Sequence, residues 1–155
     1  MDSSISLVTF KSGEDFYGID IIHVKEIIDV RTIIPIPNSP DFVEGIITLR
    51  GNIIPIIDLA KRFRFEHIKT DIDDEHISGI IIMNVYDLTI GILLDKINKI
   101  INIPIVMLQH ISQINTEIGS EYIKSIVKYD DFFLIILDIK KLFNKNELLQ
   151  LSGDV

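Results

Sequence analysis

The chain has 155 residues, of which 47% are hydrophobic and many are isoleucine, enough for one domain or two small ones sharing a core. Its net charge of −8 argues against nucleic acid or an anionic membrane as the main ligand, because phosphate contacts need clustered Lys and Arg. No apolar run approaches the ~18 residues of a bilayer span, the N-terminus lacks a basic-then-apolar signal pattern, and the absence of cysteine excludes disulfide and thiol chemistry and fits a cytoplasmic protein.

Short β-branched runs separated by turn residues dominate the chain. Ile5–Lys11 reads as a first strand, Ser12-Gly13-Glu14-Asp15 as a hairpin turn, and Phe16–Asp20 as a second strand. Ile21–Ile28 has apolar residues at 21, 24, 27 and 28, a helical spacing that predicts a short helix or turn. Thr32–Pro37 reads as extended, with Pro35, Pro37 and Pro40 keeping it out of a sheet centre. Gly45–Arg50 and Asn52–Ile57 are strands joined at Arg50-Gly51, and Asp58 N-caps a helical turn over Asp58–Phe63. The polar, acidic Phe65–Ser78 stretch reads as a linker. Strands follow at Gly79–Val85, Leu88–Asp95, Lys96–Ile103, Tyr122–Tyr129 and Phe132–Leu137, with turns at Tyr86-Asp87 and Asp130-Asp131. The stretch Pro104–Gly119 has no clear period and is long for a loop without a binding role or a short helix of its own. A final helix is expected over Ile139–Leu151.

The chain also repeats itself without gaps. FVEGIITLRGNIIPIIDLAKRF, starting at Phe42, matches YIKSIVKYDDFFLIILDIKKLF, starting at Tyr122, in its apolar positions. A weaker echo links YGIDIIHVKEIIDV to IGILLDKINKIINI, with Gly18 over Gly91. Two copies of a five-strand unit predict two small barrels packed on one another, the first over approximately 12–65 and the second over approximately 78–137. Shared positions then serve folding, and positions that differ are where function sits. Asp58 and Asp138 recur in both copies and read as structural caps. The sharpest difference is Arg50-Gly51 against Asp130-Asp131.

Catalytic and metal-binding readings find little support. The sequence has no G-x-S-x-G, no phosphate-cradling glycine loop and no C-x-x-C. His23, His67, His76 and His110 are scattered without metal-ligand spacing. Asp71, Asp73, Asp74 and Glu75 lack the glycine and distal glutamate of an EF-hand. Nothing assembles an acid, a base and an oxyanion site, so neither an enzyme nor a cofactor is expected. Arg50, inside IITLRGNIIPII, is either a solvent-exposed turn residue, with Gly51 supplying positive φ, or one half of an ion pair with Glu26 at a binding groove. If such a pair were substantially buried, removing one partner would cost more than removing both.

The motifs LVTF, YGIDI, VKEI, PNSPDFVEGIITLRG and IIPIIDL, followed by GILLDKI and SEYIKSIV…LIILDIKKLF, resemble the CheW-like chemotaxis coupling adaptors from roughly Ile5 to Leu149. Family members often carry Asn where this chain has Thr48 before Leu-Arg-Gly. The resemblance implies a mainly β fold: two five-stranded SH3-like barrels on a shared hydrophobic core, with a few short helices and a C-terminal helix, forming one domain over 1–155. It implies a non-catalytic adaptor that couples chemoreceptor cytoplasmic hairpin tips to the regulatory domain of a chemotaxis histidine kinase. Such an adaptor is cytoplasmic and recruited to membrane-associated arrays, without inserting in the membrane or binding nucleic acid. In the family the receptor tip lies in a groove between the barrels; the matching residues are Val24, Glu26 and Ile27, with Arg50 and Gly51 nearby and Ile92 and Leu94 as the opposite wall. Kinase contacts are expected on apolar edge positions of both barrels, with Ile114 as a candidate. Two related readings stay open: the regulatory domain of the kinase itself, and a paralogous adaptor acting only in ring formation.

Overall fold

A computed structural model describes residues 3–12, 15–59, 77–109, 122–129 and 132–142. The described residues form nine strands: β1 (Ser4–Ser12), β2 (Asp15–Asp20), β3 (Val24–Asp29), β4 (Val43–Leu49), β5 (Asn52–Asp58), β6 (Ile77–Val85), β7 (Leu88–Pro104), β8 (Ile123–Tyr129) and β9 (Phe132–Leu137). The segment expected to be a helix or turn from Ile21 is 3₁₀ only over Ile21–His23; from Val24 onward it is β3. The helical spacing there is outweighed by β-branched Val24, Ile27 and Ile28 and by antiparallel pairing with β6. The strands expected at Leu88–Asp95 and Lys96–Ile103 are one continuous strand, β7. The irregular stretch after it begins with a 3₁₀ turn at Ile105–Met107. Of the C-terminal helix, Ile139–Leu142 (α1) is described; the rest of it, the Asp130-Asp131 turn, Ile114 and residues 60–76 lie outside the described residues.

Strand pairing yields two five-stranded mixed sheets that share β7. The first half of β7 pairs with β6 and, in parallel, with β5; β6 carries β3 and β5 carries β4. The second half of β7 pairs with β1, which continues to β2, then in parallel to β9, then to β8. Among the described residues, the segment that follows one edge strand bridges to the other edge of each sheet: Ile34, after β3, to Ile46 on β4, and Gln109, after β7, to Ile126 on β8. Both sheets are therefore barrel-like.

The internal repeat is visible in this pairing at residue resolution. Ile56 is in register with Gly91 in one sheet, and Ile136 with Gly18 in the other. The Asp58 amide donates to the Phe42 carbonyl (2.8 Å), and the Asp138 amide to the Tyr122 carbonyl (2.9 Å). Register shifts fall between Val43 and Gly45 and, equivalently, between Ile123 and Ser125.

The division expected at 12–65 and 78–137 does not match the pairing, because the two copies exchange their first hairpins. The β1–β2 hairpin of the first copy completes the sheet of β8 and β9, while β6 and the start of β7 complete the sheet of β4 and β5.

Burial follows the strand alternation. On β6, Ile80 and Ile82 point into the first barrel with Ile47, Ile54 and Ile56. Leu7, Val127, Leu134 and Ile136 fill the second. The opposite faces of the same strands meet between the barrels, where Val8, Phe10, Tyr17, Ile81, Met83 and Ile135 join one shared core. Each fully buried large aliphatic or aromatic side chain there contributes about 1.5–3 kcal/mol of transfer free energy. This seam holds the two barrels in a fixed relation.

Candidate functional site

The rim of the first barrel is built by β3 and the β4–β5 hairpin. Arg50 and Gly51 form its two-residue turn with φ of 50° and 81°. Positive φ at both central residues is the type I′ pattern, which matches the twist of the flanking strands. Glycine takes that conformation freely, whereas arginine does so at a steric cost. A side chain added at Gly51 would meet nothing within 4 Å, so glycine is required there for its backbone and not for space.

The turn aims Arg50 across the barrel mouth at Glu26 on β3. Arg50 Nη1 donates to Glu26 Oε1 at 2.5 Å and Nη2 to Oε2 at 2.8 Å, a bidentate pair. Arg50 is thus an exposed turn residue and at the same time one half of an ion pair with Glu26. The Glu26 carboxyl is held below its usual range chiefly by the hydrogen bonds from Arg50; desolvation opposes this, and the charges of Arg50, Lys25 and Arg31 add to the lowering. The guanidinium is raised in turn by Glu26. The pair is not buried: the Arg50 side chain is 68% exposed and that of Glu26 29%. The condition for single removal costing more than double removal is therefore not met, and the stability contribution of such a pair is small.

The register shift between Val24 and Glu26 places Val24 beside Met83 and Ile27 beside Ile81, on the face of β6 that turns toward the seam. Val24 packs against the shared core and Ile27 is 42% exposed. Val24 and Ile27 thus lie on the seam face of β3, and Glu26, opposite Ile82, lies on its barrel face with Arg50 and Gly51; β3 is an edge strand of its sheet, so both faces border one rim. The opposite wall expected from Ile92 and Leu94 is not available: both side chains lie in the shared core, 0% and 5% exposed, because alternation on β7 turns them into the seam.

Sequence reasoning missed Lys25 and Arg31, exposed cations beside Glu26, and Ile53, exposed on the hairpin. Their only sequence signal was proximity to VKEI and LRG. Among the described residues no group of three or more His, Cys, Asp or Glu could hold a metal.

The family model for the CheW-like domain matches residues 6–147. The chain belongs to the CheW-like family. It is similar to chemotaxis protein CheW of Treponema pallidum, 45% identical over 152 residues covering 98% of this chain and 89% of that protein. It is also similar to chemotaxis protein CheW of Thermotoga maritima, 30% identical and covering 90% of this chain and 87% of that one. The crystal structure of the scaffolding protein TtCheW from Thermoanaerobacter tengcongensis superposes with a TM-score of 0.81 at 34% identity, covering 95% of this chain and 92% of that chain. This CheW-like chain is a non-catalytic chemotaxis scaffold with the mainly β fold of its relatives. No helix among the described residues is long and apolar enough to cross a membrane.

Proposed function

We propose that this chain couples chemoreceptor cytoplasmic tips to a chemotaxis histidine kinase, with the receptor hairpin seated at the rim of Val24, Glu26, Ile27, Arg50 and Gly51. The observation that carries the reading is the bidentate Arg50–Glu26 pair beside exposed Ile27, at the one position where the two repeat copies differ most. A pair that adds little stability and sits next to exposed apolar surface is better suited to recognition than to folding. The kinase regulatory domain would dock on the second barrel, where Ile100, Val106 and Phe133 are 53%, 92% and 55% exposed. Ile114 follows in sequence in the same half of the chain. The adaptor then transmits signal only through contacts that differ between receptor states, since equal affinity for both would shift nothing. The seam between the barrels gives the two surfaces a fixed geometry through which a change at one can bias the other.

Titration calorimetry tests this with a receptor tip fragment and with the kinase regulatory domain of the same genome. Micromolar or tighter binding of each, about −8 kcal/mol or better, is expected. Arg50→Ala and Glu26→Ala should weaken tip binding with the β circular dichroism signal unchanged. Loss of that signal in both variants would make the pair structural, and failure of the folded wild type to bind the kinase domain would remove the kinase half of the reading.

A further inference from the structure

We propose that the receptor segment seated at this rim is acidic, with carboxylates facing Lys25, Arg31 and the unused donors of Arg50 while an apolar residue covers Ile27. This inference rests on the receptor-binding reading above and names the chemistry of its partner.

Three features of the rim lead to it. Arginine carries five N–H donors in a fixed fork. Glu26 engages one on each terminal nitrogen, and the side chain remains 68% exposed, so donors remain that solvent or a partner can reach. Because both terminal nitrogens are held, the guanidinium is presented in one orientation, which favours a planar carboxylate over a point charge of any other shape.

Local charge is the second feature. Along β3 and its exit the charged groups are Lys25, Glu26, Asp29 and Arg31, and Arg50 joins them from the hairpin: three cations against two carboxylates, one of which Arg50 already neutralises. Lys25 and Arg31 are exposed, and both act electrostatically on Glu26, so they share one field with the pair. The whole chain, by contrast, has a net charge of −8. An acidic segment is therefore repelled by the protein as a whole and attracted at this rim, which orients it as it docks.

Apolar surface is the third. Ile27 lies on the same strand between Lys25 and Asp29 and is 42% exposed, and Ile53 on the hairpin is 46% exposed. A partner that buried only apolar surface here would strand the cations, at a cost in desolvation. One that supplied carboxylates beside an apolar residue would satisfy both.

The test uses the full chain and a soluble receptor tip hairpin, titrated at low and high salt. For the wild type, affinity should fall at least about tenfold, about 1.4 kcal/mol, as the Debye length contracts from ~10 Å at 0.1 M to ~3 Å at 1 M. Lys25→Glu with Arg31→Glu should weaken binding by a similar factor and flatten the salt dependence. A tip whose Asp and Glu are changed to Asn and Gln should do the same against the wild-type chain. The milder Lys25→Gln with Arg31→Gln, checked by circular dichroism, covers a folding failure of the reversed pair. Tight tip binding that ignores salt and both double variants would overturn the acidic-partner inference and leave receptor binding in place. A folded wild type that binds no tip at any salt would overturn both.

Discussion

Gly45 offers the clearest quantitative test of how the first barrel closes. It lies at the bulge of β4, with φ of 148°, where the segment after β3 crosses back over the sheet. Ile34 donates to the Ile46 carbonyl at 2.9 Å and accepts from the Ile46 amide at 2.8 Å. A Cβ on Gly45 would overlap the Ile34 carbonyl oxygen and lie 2.7 Å from its carbonyl carbon. That obstacle is backbone and cannot swing aside as the end of a side chain can. Gly45→Ala therefore forces either backbone strain of about 1–3 kcal/mol or loss of the two bridging hydrogen bonds, about 1 kcal/mol each. With partial relaxation the expected loss is about 2 kcal/mol, a large share of a domain stability of roughly 5–15 kcal/mol. With an m-value of about 2 kcal/mol/M, the urea midpoint should fall by roughly 1 M. The second copy sharpens the test, because the equivalent position is Ser125, buried and already bearing a Cβ. Gly45→Ser should still destabilise, although the repeat itself contains that residue. Urea unfolding followed by circular dichroism decides: a Gly45→Ala stability within about 0.5 kcal/mol of wild type would mean that the Ile34 bridge is not a fixed closure.

Three further outcomes follow from the geometry. The Glu26 carboxyl, depressed in the folded chain below its ordinary 4.5 by Arg50, gives a contribution fully present above that value and lost as pH falls through the depressed one; carbon NMR should find its midpoint below 4.5 and shifting up toward it in Arg50→Ala. Gly91→Ala should destabilise more than Gly18→Ala by thermal unfolding, since a Cβ at Gly91 meets Ile56 Cδ1 at 2.5 Å and Ile80 Cγ2 at 2.9 Å, whereas at Gly18 the nearest atom is Leu7 Cδ1 at 3.3 Å. Equal losses would show that the two repeat-related contacts relax alike. A protease site introduced within 65–76 should yield, once cut, halves that co-elute and unfold in one transition, because each barrel takes strands from both copies; halves that separate as folded units would refute the hairpin exchange.

The local elements and the repeat were legible in the sequence because they are encoded locally. Alternation with period two, β-branched runs and paired turn residues specify β1, β2, β4, β5, β6, β8 and β9 within a few residues. The copies differ by Arg50-Gly51 against Asp130-Asp131, and that difference singled out Arg50 before any geometry. Even its pairing with Glu26 could be framed, since both interrupt apolar stretches. The same patterns could not say which hairpin joins which sheet. Strands buried on both faces all look alike as isoleucine runs, so period alone cannot choose among partners. The parallel pairings of β5 with β7 and of β2 with β9, which exchange the copies, are long-range choices made by the packing of the whole. They also decided the fate of Ile92 and Leu94: their motif placed them near the groove, but the exchange turned them into the shared core, leaving one rim exposed. Sequence determined the parts and the residue that sets the copies apart. Tertiary structure alone decided which faces meet, because burial is a property of the partner strand as much as of the strand itself.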